Sequence, residues 1–102
     1  MIDVSFSRED NEYQLTIRGH AGYSDNGNDI VCAGASAIAY TLIGYLNNID
    51  NLYDLDYIDR SGDFSVLCTS DDIRVRAAFE MAEIGYLQME NTYPKCVRVQ
   101  KN

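Results

Sequence analysis

The sequence predicts an α+β fold, two helices packed on a largely antiparallel sheet in the order ββαββαβ. Three observations carry this expectation. Two short runs alternate apolar and polar residues, two longer runs repeat apolar residues at helical spacing, and no linker, internal repeat or low-complexity segment separates them.

Ile2, Val4 and Phe6 alternate with polar residues, and Tyr13, Leu15 and Ile17 do so again after the turn-like segment 8–11. Together they predict a hairpin that Gly19 ends. From Val31 onward, Ala35, Ile38, Leu42, Leu46 and Ile49 follow a helical period, so one long helix lays its inner face on the sheet until Asn47, Asn48 and Asp50 stop it. Residues 52–58 and 64–68 read as strands around the Ser61-Gly62-Asp63 turn, with aspartates interrupting the first.

Ser70 and Asp71 offer caps for a second helix over residues 72–91. Phe79, Ala82, Tyr86 and Met89 form one apolar stripe of that helix, and Ala77, Met81 and Ile84 form its neighbour. A face so broad reads as core, and part of it also suits a subunit interface. Pro94 breaks the helix, and residues 96–99 make a final short strand.

Composition narrows the function classes. A chain of 102 residues, 46% hydrophobic, suits one compact domain that buries roughly two thirds of its unfolded surface. A formal charge of −8 argues against a nucleic-acid partner, since phosphate binding depends on clustered Lys and Arg, and a basic protein or peptide fits better. The amino terminus has neither a basic start nor an apolar h-region, and no apolar stretch approaches spanning length, so the expectation is a cytoplasmic protein that does not enter the membrane. Cys32, Cys68 and Cys96 are odd in number and widely spaced, which indicates reduced thiols rather than a disulfide framework or a zinc ribbon.

Chemistry concentrates between Gly19 and Ala37. The one histidine, His20, stands at the end of the hairpin, and Cys32 follows twelve residues later, across a segment containing Gly22, Asp25, Asn26, Gly27, Asn28 and Asp29. Such a run frees the backbone to turn and predicts a mobile loop over residues 21–29. With Asp29 as cap, Cys32 falls in the first helical turn, where unpaired N–H groups and the helix dipole favour an anionic sulfur. A histidine folded back beside it makes a nucleophile and base pair for acyl transfer, and backbone N–H groups near Cys32, Ala33 and Gly34 would supply an oxyanion hole. On spacing alone, a solvent-facing histidine and a packed structural thiol remain open as the alternative.

Ser36, one turn after Cys32, either joins the site or only bonds local backbone. Asp25, Asn26 and Asp29 do not match the ligand positions of a calcium loop, and one His with one Cys falls short of a closed zinc site, so no metal or other cofactor is expected. Cys68 and Cys96, in presumed strands, read as packed hydrophobes.

The block G-H-A-G-Y-S-D-N-G-N-D-I-V-C-A-G-A-S-A, with its G-H-A, G-x-D-I-V-C-A-G and A-S-A segments, resembles the ribosomal-processing cysteine protease (Prp) family, whose length and element order cover essentially the whole chain. The resemblance implies one cysteine protease domain over residues 1–102. It implies a bacterial endopeptidase that removes a short amino-terminal extension from the precursor of protein twenty-seven of the large ribosomal subunit. It places Cys32 as nucleophile and His20 as base, matches Gly19, Asp29 and Ser36 to family positions, and implies a homodimer with a segment between the catalytic residues that moves to admit substrate. A related protease of a mobile element acting on a capsid or scaffold protein, another thiol acyl transferase and a non-catalytic ribosome-assembly adaptor are the competing readings.

Overall fold

The computed structural model of the chain describes residues 1–24, 29–50 and 52–102. The elements follow as β1 (Ile2–Glu9), β2 (Glu12–Arg18), α1 (Ile30–Leu46), β3 (Asp54–Arg60), β4 (Asp63–Thr69), α2 (Ile73–Thr92) and β5 (Val97–Lys101), the order expected from the sequence. The strands form one sheet ordered β3-β4-β2-β1-β5. Neighbours are antiparallel except β1 and β5, which run parallel. The exception follows from connectivity: β4 points the same way as β1, and α2 carries the chain from β4 across to the free edge of β1, as a parallel crossover requires.

Register builds the core. Glu9 pairs with Glu12, leaving Asp10 and Asn11 as a two-residue turn, and Asp10 takes the positive φ of 54° that such a turn demands. The pairings Phe6 with Leu15, Leu15 with Val66 and Ile17 with Phe64 then bring every buried strand residue to one face. Both helices cover that face. From α1 come Val31, Ala35, Ala39, Leu42 and Leu46, and from α2 Val75, Phe79, Ala82 and Tyr86. Tyr13 stacks on Phe79 with ring centroids 5.2 Å apart.

Several local expectations are corrected. The buried face of α1 passes through Ala39, while Ile38 turns toward α2, where a Cβ on Gly85 would lie 2.9 Å from its Cδ1. Ile49 is buried beyond the end of α1, held by an N–H bond to the Leu46 carbonyl. The first strand of the second hairpin begins two residues later than expected, at Asp54, because it is an edge strand whose exposure leaves no alternation to read. Cys96 precedes β5 and packs half-buried against the core.

The second helix is capped by Asp72, whose carboxylate accepts the Arg74 N–H, rather than by Ser70 or Asp71. Those two fasten the end of β4 to the first hairpin: the Ser70 N–H bonds the Asn11 carbonyl, and Asp71 accepts the Asn11 side-chain amide. Of the second apolar stripe of α2, Met81 is 73% and Ile84 58% exposed, because one helical face alone meets the sheet and α1. Among the described residues no helix is long and apolar enough to cross a membrane.

Tyr86 joins the helices. Its ring is wholly buried, and its hydroxyl donates to the Ala35 carbonyl at 2.8 Å, one turn after Cys32. Burial pushes this phenol well above its ordinary pKa, so it stays a neutral donor. Tyr86→Phe, which removes the bond alone, is expected to cost about 1 kcal/mol and lower Tm by about 4–8 °C in thermal unfolding, while Tyr86→Ala costs about 3–5 kcal/mol by opening a cavity.

Candidate active site

The site forms where the end of β2 meets the start of α1. Gly19 makes the exit from β2 with φ +95°, and a Cβ there would fall 2.3 Å from the Met1 carbonyl oxygen, so no side chain fits. Its N–H bonds the Gly62 carbonyl at 2.9 Å, holding the chain against the β3–β4 turn. His20 follows. Next is Ala21, 3% exposed, whose N–H donates to the Cys32 sulfur at 3.3 Å. One residue thus separates the histidine from a direct contact with the thiol.

Asp29 holds the other side. Its Oδ1 accepts the N–H groups of Val31 and Cys32, both at 3.0 Å, as an N-cap that places Cys32 in the first turn of α1. Its Oδ2 accepts the N–H groups of Tyr23 at 2.9 Å and Ser24 at 3.4 Å. Desolvation works to raise this carboxyl's pKa, but the four backbone donors outweigh it and hold it below the usual carboxylate value. Tyr23 in turn meets Tyr93 edge-on, with centroids 5.4 Å apart. Residues 25–28, the middle of the segment expected to be mobile and home to Asp25 and Asn26, lie outside the described residues.

His20 and Cys32 line one cleft of about 620 Å³, together with Gly19, Asp29, Ala33 and Ser36. Gly34 is not brought there. It faces α2, where a Cβ would sit 3.4 Å from the Met89 methyl, an ordinary packing distance. The expected oxyanion donors also need correction: the Cys32 N–H is given to the Asp29 carboxylate and the Ala33 N–H to the Asp29 carbonyl at 3.1 Å.

The opposite wall escaped the sequence reading. It consists of Asp59, Ser61, Gly62 and Asp63 from the β3–β4 hairpin, with Tyr40 of α1 reaching toward it. The Tyr40 hydroxyl donates to the Asp59 carboxylate at 3.4 Å, and Asp63 pairs with Arg18. Only the turn-forming Ser61-Gly62-Asp63 left a trace in the sequence, and it signalled a turn rather than a cleft.

The other thiols differ in setting. Cys68 is fully buried in β4, where desolvation, followed by the Asp54 charge, raises its pKa. Cys96 is half-buried beside the core and is not among the residues that line the cleft. Among the described residues, no three His, Cys, Asp or Glu side chains group to hold a metal ion.

The fold and cleft define a class: a small α+β protein that presents a reduced cysteine at a helix amino terminus, with a histidine on the same cleft. Within that class the chain belongs to the cysteine protease Prp family, whose model matches residues 1–98. It is similar to the ribosomal processing cysteine protease Prp of two Staphylococcus aureus strains, Mu50 and NCTC 8325, with 36% identity over 69 residues in each. The match covers 64% of this chain and 62% of each relative, so it spans less than two thirds of the relatives' length.

Among solved structures, the essential ribosomal processing protease Prp from S. aureus with a covalently linked product peptide superposes with a TM-score of 0.88 at 24% identity, covering all of both chains. The same protease with a substrate peptide gives 0.79 at 23% identity, again over both whole chains. A Streptococcus mutans protein gives 0.76 at 24% identity, covering 99% of this chain and 93% of that one. At such identities the superpositions establish the shared fold.

Asp29 ties the 21–24 segment to the helix that carries Cys32, and its lowered carboxyl pKa fixes the sign of a pH effect. A carboxyl held low in the folded state contributes stability above its ordinary value of 3.8 and loses it as pH falls through the folded value. Asp29→Ala is therefore expected to lower Tm at neutral pH, with the gap from the parent narrowing as pH drops below 3.8, in thermal melts across that range.

Proposed function

We propose that this protein is a cysteine endopeptidase in which Cys32 is the nucleophile and His20 the general base and acid. The observation that carries the reading is the Ala21 N–H bond to the Cys32 sulfur at 3.3 Å, which sets the thiol one residue from the histidine on a shared cleft. The Cys32 sulfur attacks the scissile carbonyl carbon, forming a C–S bond, while its proton passes to His20. Collapse of the tetrahedral intermediate breaks the C–N bond, and His20 protonates the departing amine. Water, deprotonated by His20, then attacks the thioester and releases the new carboxyl terminus with the thiol regenerated.

Since the Cys32 and Ala33 N–H groups are committed to Asp29, an oxyanion donor from the helix start requires Asp29 to yield its cap when substrate binds. Substrate would then complete the site as it enters. The Asp29 bonds to the Tyr23 and Ser24 N–H groups support this reading, since they couple those residues to the same carboxylate.

The substrate in this reading is the precursor of protein twenty-seven of the large ribosomal subunit, cut to remove its amino-terminal extension in the cytoplasm. Support comes from the relatives, which bear the name of ribosomal processing proteases, and from a net charge of −8 that suits a basic protein. The reading includes a homodimer, for which the exposed Ile73, Met81 and Ile84 of α2 supply apolar surface.

Incubating the purified protein with the ribosomal precursor and following its mass tests the assignment. Cys32→Ala is expected to lose cleavage by roughly 10⁴-fold or more, and His20→Ala by about 10²- to 10⁴-fold. Cleavage by Cys32→Ala at the parent rate overturns the nucleophile. An intact precursor alongside cleavage of another protein by the parent chain corrects the substrate and leaves the chemistry standing.

A further inference from the structure

The β3–β4 turn reaches the site from another part of the sequence. Gly62, at its tip, has φ +71°, and a Cβ built there would lie 2.8 Å from His20 Nε2, with the Cδ2 and Cε1 ring carbons at 3.4 Å. The outer edge of the imidazole therefore occupies the space that a side chain at residue 62 would fill. His20 is exposed, and among the described residues its ring makes no hydrogen bond, so Gly62 is the neighbour that bounds it.

The turn itself is fixed against the backbone leading to His20. The Gly19 N–H bonds the Gly62 carbonyl at 2.9 Å, and Arg18, opposite Asp63 in the strand register, pairs with its carboxylate. These contacts, made by the two residues that precede His20, hold the glycine beside the imidazole. A methyl group added to that glycine meets the end of a side chain that can rotate, not packed backbone. The imidazole would yield, and with it the position from which a proton is taken from Cys32.

We propose that Gly62 is a positioning residue for His20, its missing side chain being the seat that aims the imidazole at the thiol. The proposal rests on the Cys32 and His20 reading above. Left-handed backbone disfavours most substitutions, but asparagine tolerates it, so Gly62→Asn supplies the Cβ while sparing the turn. Displacing a reacting group by about 1 Å costs on the order of 10²-fold in rate, which sets the scale of the effect.

The experiment is a double-mutant cycle read by alkylation of Cys32 with iodoacetamide near neutral pH, a reagent too small to need the substrate cleft. Each variant is mapped by mass and checked for Tm and circular dichroism. Gly62→Asn is expected to retain the fold and slow alkylation about tenfold or more, and Gly62→Asn with His20→Ala to react no more slowly than His20→Ala alone. Parent-rate alkylation by folded Gly62→Asn overturns the proposal, as does an equal slowing in both backgrounds. If His20→Ala alone leaves alkylation at the parent rate, the pair fails and the proposal falls with it, whereas an effective His20 with an indifferent Gly62 sinks only the latter. Should Gly62→Asn unfold, Gly62→Ala is put through the same cycle, and loss of fold in both, showing residue 62 to be needed by the backbone itself, also overturns the proposal.

Discussion

The contact between the Ala21 N–H and the Cys32 sulfur is the interaction on which the site depends. It joins two chain segments that the sequence separates by eleven positions, the exit of β2 and the first turn of α1. Ala21 on the histidine side and Val31 and Ala35 on the thiol side also pack in the same buried cluster. Asp29 closes the other half of the arrangement: one carboxylate oxygen caps the helix that bears the thiol, and the other gathers the segment leading from His20. A single side chain thereby couples helix geometry to the conformation of the backbone beside the site.

The rest of the fold makes that meeting possible. Because the sheet buries one face, both helices lie on the same side, and the Tyr86 bond to the Ala35 carbonyl anchors α1 just beyond the thiol. β3 is an exposed edge, and its turn with β4 forms the wall opposite α1. The cleft is thus bounded by α1 on one bank and, on the other, by the exposed edge strand β3 and the β3–β4 turn.

Much of this was legible in the residues, for identifiable reasons. The period of two in Ile2, Val4, Phe6 and in Tyr13, Leu15, Ile17 marked a half-buried hairpin, and Asp29 before an apolar helical run marked a cap. What stayed hidden depends on contacts between distant segments. Tyr40, Asp59 and Gly62 reach the cleft only through strand register and helix placement, and nothing local distinguishes Asp59 from its neighbouring aspartates. Gly34 stands two positions after Cys32 in the sequence, yet in the fold it faces Met89 of α2. Met81 and Ile84 have the residue type of a core and the exposure of a surface, because spacing gives the angle between stripes without saying which one meets the sheet.

The central claim is that Cys32 forms the covalent bond to substrate. Its most direct test is to quench a reaction with the precursor in acid during turnover and map any thioester adduct by peptide mass. The account predicts added mass equal to the released amino-terminal segment less one water, carried on the peptide containing Cys32. An adduct on Cys68 or Cys96, with Cys32 unmodified, would contradict it.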